Sequence, residues 1–173
     1  MSIMTTLAQA QAMLPESKLI NVSVEAAQEL AISRVGTDSR QIERNELFVA
    51  LVGERFDAHD FLSDVAKAGA GAALISSQDK CPADLPAICV SNTRVGLGNL
   101  AKAWRANHPI PLALVTGSNG KTTVKEMIAS IFKAAVGEQH TLVTKGNLNN
   151  DIGLPLTLLK LRSTDRLAVV ELG

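Results

Sequence analysis

The segment from Leu112 to Ala135 leaves the chain little choice of fold. Leu112-Ala113-Leu114-Val115 is a short continuous apolar run, the pattern of a strand buried on both faces in a parallel sheet. It leads directly into Thr116-Gly117-Ser118-Asn119-Gly120-Lys121-Thr122-Thr123. Val124, Met127, Ile128, Ile131, Phe132 and Ala135 then recur at i, i+3, i+4, i+7, i+8 and i+11, which predicts a strongly amphipathic helix. A buried strand, a glycine turn and a helix in that order make the opening unit of a layered α/β domain.

The residue types of the turn match phosphate chemistry. Gly117 and Gly120 let the backbone curl closely around phosphate oxygens without a Cβ in the way. The first turn of the helix offers unpaired N–H groups and the positive end of the helix dipole. Lys121 has the length to reach terminal phosphates, and the Thr122 hydroxyl stands where a Mg²⁺ ligand is wanted. The segment from Gly117 through Ser118, Asn119, Gly120, Lys121 and Thr122 to Thr123 is therefore the candidate ATP site, with Lys121 as its catalytic residue. The spacing departs from the general pattern: two residues separate the glycines instead of four, and Val115 stands where the first glycine usually does. The alternative is a plain strand-to-helix turn, but such a turn does not need Lys-Thr at the helix start.

A second apolar run, Leu167-Ala168-Val169-Val170, ends in Glu171. Ligands of open α/β sheets bind beyond the carboxyl ends of the strands, so a carboxylate there can hold Mg²⁺ directly or through water. Between the two runs, Lys145-Gly146-Asn147-Leu148-Asn149-Asn150-Asp151-Ile152-Gly153-Leu154-Pro155 is a loop, with Pro155 suited to the first turn of a following helix. Its asparagines read equally as turn-formers in water and as amide donors and acceptors for a sugar-like or diphosphate ligand.

Upstream, the alternation of elements continues. Leu47 to Val52, Ala72 to Ile75 and Ala87 to Val90 read as strands, and Asp60 to Ala68 and Asn92 to Asn107 as helices. The first 35 or so residues carry weak signals beyond a short helix at Leu7 to Leu14. His108-Pro109-Ile110-Pro111 stops a helix and stiffens the chain, which places a domain boundary between residues 108 and 109. Residues 1–108 are thus expected to form a small α/β domain, and residues 109–173 the start of a parallel-sheet ATPase domain with about three strands of a larger sheet.

Composition removes several function classes. Formal net charge is zero and aromatics make up 3%, so neither a phosphate-tracking basic surface nor a base-stacking platform is available for nucleic acid. No run approaches the roughly 20 apolar residues of a membrane span, and the start lacks the basic-then-apolar pattern of a secretory leader. Cys81 and Cys89 are too few for a disulfide framework and have no partners at zinc spacing. These features imply a cytoplasmic protein with reduced thiols and no obligate protein partner.

Thr116-Gly117-Ser118-Asn119-Gly120-Lys121-Thr122, short spacing included, resembles the phosphate loop of the Mur ligases. Asp38-Ser39-Arg40, the run from Leu47, and Gly53-Glu54-Arg55-Phe56-Asp57-Ala58-His59-Asp60-Phe61 look like the N-terminal domain of that family, and Gly146 to Leu159 like its central loop. The resemblance covers about Gly36 to Gly173. It implies an enzyme that uses ATP and Mg²⁺ to make an amide bond in cell-wall precursor synthesis. The member it resembles most phosphorylates the carboxylate of UDP-N-acetylmuramoyl-tripeptide to an acyl phosphate, which the amine of D-alanyl-D-alanine then attacks. Carried over by residue, Gly117 to Thr123 hold ATP phosphates, and Thr122 and Glu171 accompany the metal. Asn147, Asn149 and Asn150 face the UDP-sugar, and Ser39, Arg40, Arg55, Phe56 and Asp57 belong to the UDP-binding region. A sister ligase adding the third amino acid is expected to carry a Thr-Thr-Pro-type segment in place of the asparagine loop. A UDP-sugar-binding module without activity is the non-enzyme alternative. The family has three domains, so residues 1–173 read as the N-terminal portion of a longer enzyme, inactive alone.

Overall fold

The computed structural model describes residues 3–173; Met1 and Ser2, the first residues of the segment read for a leader, lie outside the described residues. The chain divides into two compact units, one ending at Leu100 and the other running from Ala101 to Gly173.

The first unit opens with β1 (Thr5–Thr6) and α1 (Leu7–Ala12). Thr6 and Gln9 form a reciprocal capping box that starts this helix. There follow β2 (Lys18–Ile20), α2 (Val24–Glu29), capped by Ser23, β3 (Ala31–Ile32), which pairs antiparallel with β1, and β4 (Arg34–Gly36). Then come β5 (Glu46–Val49), a 3₁₀ turn at Ala58–Phe61, α3 (Leu62–Lys67), β6 (Ala72–Ile75), β7 (Ala87–Cys89) and α4 (Thr93–Ala106). The main sheet has the order β2-β7-β6-β5-β4, with β2 antiparallel and the others parallel. β5 and β6 are buried at every position, as the continuous apolar runs require. Phe48, Ala73, Ile75, Leu62 and Val65 form the core beneath α3. The observed β5 is shorter than the run Leu47 to Val52, because the chain turns at Val52: Val52 and Asp57 bridge, and Gly53 donates its N–H to Phe56 O at 2.9 Å.

The second unit contains β8 (Leu112–Val115), α5 (Lys121–Val136), β9 (Thr141–Val143), α6 (Gly153–Leu158) and β10 (Leu167–Glu171). Its sheet is all parallel, in the order β8-β10-β9. β8 and β9, consecutive in sequence, are not neighbours; β10 enters between them, as crossover connections through helices allow. The units divide inside α4, ahead of the two prolines. The last turn of α4 belongs with the second unit because Trp104 donates its indole N–H to Leu161 O at 3.1 Å and packs at a tilt against the His108 ring.

Helix α5 forms over the expected span, yet its apolar residues do not all face the sheet. Val124, Met127 and Ile131 are exposed, whereas Lys125 and Ala129 are buried and Ile128 and Phe132 pack on the core of Val115 and Val169. Pure periodicity cannot choose between two apolar stripes on one helix; the crossing over β10 chooses the one containing Lys125. Leu114 on β8 is exposed as well. An apolar helix face and an apolar edge strand open to water weaken a small sheet. Amide hydrogen exchange is therefore expected to be slower at Phe48, in the middle of the five-stranded sheet, than at Val169; the reverse order would contradict this division of stability.

No helix among the described residues is long and apolar enough to cross a membrane. Cys81 and Cys89 are free thiols at the edge of the first unit's core.

Candidate active site

In the second unit the carboxyl ends of all three strands converge. Beyond β8, Gly117 has φ +140° and Gly120 φ +74°, backbone shapes that L side chains rarely adopt. Gly120 is the N-cap of the 16-residue helix α5 and provides no side chain to it, so the first N–H groups keep their donors for an anion. Ser118, Asn119 and Gly120 are exposed, and the Lys121 ammonium folds back to donate to Gly117 O at 2.7 Å.

Glu171, at the end of β10 and 3% exposed, is the focus of the side-chain contacts. The Thr122 hydroxyl donates to its carboxylate, 3.2 Å from Oε2 and 3.4 Å from Oε1. Asn149 donates from Nδ2 to Oε1 at 3.0 Å. The Glu171 N–H donates to the buried Thr144 hydroxyl at 3.0 Å, just past β9. Lys125 Nζ lies 3.9 Å from Oε2. Two residues placed independently by the glycine turn and by the β10 strand end are therefore brought into contact. A hydroxyl and a carboxylate side by side are hard oxygen donors, the set that Mg²⁺ takes together with phosphate oxygens and water. No cluster of three His, Cys, Asp or Glu side chains with metal-holding geometry occurs among the described residues.

The asparagine loop divides its roles. Asn149 faces Glu171, and its carbonyl accepts from Gly173 N at 2.7 Å. Asn150 is spent locally, its Oδ1 accepting from Ile152 N at 3.2 Å and Gly153 N at 2.7 Å at the start of α6. Asn147 is exposed.

In the first unit, a cavity of about 450 Å³ is lined by Thr37, Asp38, Ser39, Arg40, Phe56, Ala58 and Phe61. It unites Ser39 and Arg40 with Phe56, segments separated by the whole of β5. Arg40 forks onto Asp38 through two 2.8 Å hydrogen bonds, and this holds the Asp38 carboxyl down at about 2. Arg55 is exposed at the tip of the turn, outside the cavity lining. Asp57 is engaged within the turn, accepting from His59 N, facing His59 Nδ1 and accepting from Lys80 Nζ. Burial pushes its carboxyl up, but the hydrogen bonds from Lys80 and from the His59 amide and ring outweigh burial and hold it well below the usual range.

His59 was not singled out by its sequence context. It is 2% exposed, with Nδ1 2.6 Å from Asp57 Oδ1 and Nε2 accepting from Ser76 N at 2.9 Å. Those two partners require the Nδ1–H tautomer and pin the turn to the end of β6. The only signal was the Asp-x-His spacing. A larger cavity, about 680 Å³, opens at the ends of β5, β6 and β7 among Gly53, Ser76, Asn92 and Arg94. The Asn92 side chain caps α4 there, accepting from Arg94 N and Val95 N.

Residues 31–111 match the Mur ligase family, catalytic domain, and residues 115–173 match the Mur ligase middle domain. The chain belongs to the Mur ligase family. It is 46% identical over 155 residues to the UDP-N-acetylmuramoyl-tripeptide–D-alanyl-D-alanine ligase of Escherichia coli, covering 90% of this chain and 33% of that protein. It is 42% identical over 158 residues to the ligase of the same name from Haemophilus influenzae, covering 91% of this chain and 34% of that one. Among solved structures, MurF from Acinetobacter baumannii superposes with a TM-score of 0.84 at 38% identity, over 98% of this chain and 36% of that one. MurF ligase from Thermotoga maritima in complex with ADP superposes at 0.65 with 30% identity, over 80% of this chain and 31% of that one. The chain thus spans about a third of the length of the relatives it matches.

Proposed function

We propose that the full-length protein is the ATP-dependent ligase that joins D-alanyl-D-alanine to UDP-N-acetylmuramoyl-tripeptide, working in the cytoplasm on a cell-wall precursor. The observation that carries this reading is the meeting of Thr122, from the glycine turn, with Glu171 at the end of β10. The names of the relatives and the ADP in one of them agree with it.

In this reading residues 109–173 begin the ATP-binding domain. The uncapped N–H groups of α5 and the loop Gly117 to Thr123 take the β- and γ-phosphates, with Lys121 moving from Gly117 O onto them. Thr122 and Glu171 hold Mg²⁺, which would neutralise phosphate charge. The ligase must bring a carboxylate next to a polyanion, and Lys121 supplies the fixed positive charge that makes this approach and the phosphoryl transfer favourable. The tripeptide carboxylate oxygen takes the γ-phosphoryl group, ADP leaves, and the amine of D-alanyl-D-alanine then displaces phosphate to form the amide. Asn147 and Asn149 face the UDP-sugar from the edge of this site, Asn149 while also holding Glu171, and Asn150 supports them by fixing the loop at the start of α6.

Residues 1–108 bind the UDP end, with the uridine against Phe56 in the cavity near Ser39 and Arg40, and the diphosphate within reach of Arg55. Asp57 supports this region through His59 and Lys80. Arg55→Ala is expected to raise KM for the UDP-tripeptide several-fold with kcat little changed, as for loss of a contact made equally in ground and transition states. Steady-state kinetics with the UDP-substrate varied checks this; an unchanged KM would remove Arg55 from the site.

The defining experiment is phosphate release by the full-length ligase. Release that requires both UDP-N-acetylmuramoyl-tripeptide and D-alanyl-D-alanine supports the proposal. Release with a single amino acid in place of the dipeptide would reassign the protein to a sister ligase.

A further inference from the structure

The buried face of α5 carries one charge, at Lys125, one turn beyond Lys121. Lys125 is 1% exposed on a stripe that continues with Ala129. An ammonium in such surroundings persists only when paired and hydrogen-bonded. Lys125 Nζ donates to Thr144 O at 3.0 Å, lies 3.0 Å from Glu126 Oε1, and faces Glu171 Oε2 at 3.9 Å. Glu126 is exposed, whereas Thr144 and Glu171 are both buried. Thr144 closes the circuit, its hydroxyl accepting from Glu171 N. One lysine thereby ties α5 to the end of β9 while presenting its charge to the carboxylate at the end of β10.

A methionine or leucine would fill this space without the cost of burying a charge, so packing alone does not account for a lysine. Its charge is matched to Glu171, and Glu171 also receives Thr122 and Asn149. Carboxylates that serve a cation work best when neighbouring groups fix their orientation beforehand.

We propose that Lys125 is a positioning residue for the Mg²⁺–nucleotide site: its ammonium holds the Glu171 carboxylate and the Thr144 carbonyl in place, so that Glu171 meets the incoming cation already aimed at Thr122. This rests on the reading of the glycine turn as the nucleotide site. Lys125 itself touches neither nucleotide nor metal; it acts through Glu171.

The test is a Mg²⁺ titration of N-methylanthraniloyl-ADP binding to the full-length ligase, followed by fluorescence. Lys125→Met is expected to raise the half-saturating Mg²⁺ concentration by about 10-fold, the lower end of what loss of an orienting neighbour costs a metal site. Nucleotide affinity without Mg²⁺ stays as in the unsubstituted enzyme. Glu171→Gln gives a shift at least as large, and the double variant is no worse than Glu171→Gln alone, because the lysine acts through the carboxylate. Lys125→Gln keeps a donor for Thr144 O but lacks the charge; it is expected to give the same shift and covers the case in which the methionine variant does not fold. Unshifted Mg²⁺ dependence in Lys125→Gln, additive shifts in the double variant, or equal weakening with and without Mg²⁺ would each overturn the proposal. Failure of the unsubstituted enzyme to bind the labelled ADP would instead overturn the nucleotide-site reading, and this proposal with it.

Discussion

Replacing Lys121 by Ala in the full-length ligase is expected to lower kcat by about 10²–10³, the cost of roughly 3–4 kcal/mol that accompanies loss of one preorganised charge contact in a transition state. Binding of the UDP-sugar is expected to stay nearly intact. The argument is positional. Lys121 is the first residue of α5, follows a glycine at φ +74°, and spans the loop to Gly117 O at 2.7 Å. The lysine is thus tethered over the cradle by a backbone carbonyl, a bond that a phosphate oxygen can replace. The cavity shared by Ser39, Arg40 and Phe56 is built from the other unit's own strands and turns and owes nothing to Lys121. Steady-state kinetics and equilibrium binding of UDP-N-acetylmuramoyl-tripeptide decide the matter. A near-normal kcat would make the glycine turn a structural element and end its assignment as the ATP site.

The contrast between Lys121 and Lys125 marks where the sequence was legible. A strand, two glycines, Lys-Thr and a helix stand in one continuous stretch, and local rules read them correctly as an α/β turn. Strands β5, β6 and β10 were legible for the same reason: each is largely buried and reads as an unbroken apolar run; β8 reads as such a run too, although it is an edge strand with Leu114 exposed. The other edge strands were not. β9 is three residues of intermediate burial, and β2 and β4 carry Lys18 and Arg34 on the edges of their sheet, so no run stands out. The role of Lys125 depends on Thr144 and Glu171, 19 and 46 positions away, and the periodicity stripe of α5 passed over it: that stripe found Ile128 and Phe132, which do pack on the sheet, together with Val124, Met127 and Ile131, which are exposed. Asp57 and Asn150 looked like ligand groups because Asp and Asn serve both ligands and turns; the structure commits them to His59 and to the start of α6. The contact of Thr122 with Glu171 was legible in kind, since Thr122 opens the helix that follows the β8 turn and Glu171 ends β10, but its closeness follows from β10 pairing with β8 in the register Glu171↔Val115.

Gly153→Ala is expected to destabilise the second unit by about 1–3 kcal/mol, the usual cost of forcing extra volume into a packed position. Gly153 is buried at the start of α6, and a Cβ there would stand 2.5 Å from Leu148 Cα and C, backbone atoms that no side-chain rotation can move aside. The methyl group must therefore displace the segment from Asn147 to Asn150. That segment supplies the Asn149 hydrogen bond to Glu171 and the Asn149 carbonyl bound by Gly173 N. Loss of stability and loss of nucleotide-site geometry should arrive together: a lower unfolding midpoint and a weaker response of ADP binding to Mg²⁺. Gly98→Ala is the matched control, because Gly98 lies inside α4 with nothing within 4 Å of the added Cβ. There the substitution is expected to stabilise by about 0.4–1 kcal/mol through helix propensity and a less flexible unfolded chain. Denaturant unfolding of both variants separates the two effects. If Gly153→Ala were as stable as the unsubstituted protein, the close approach of Leu148 to α6 would not be what holds the asparagine loop against Glu171.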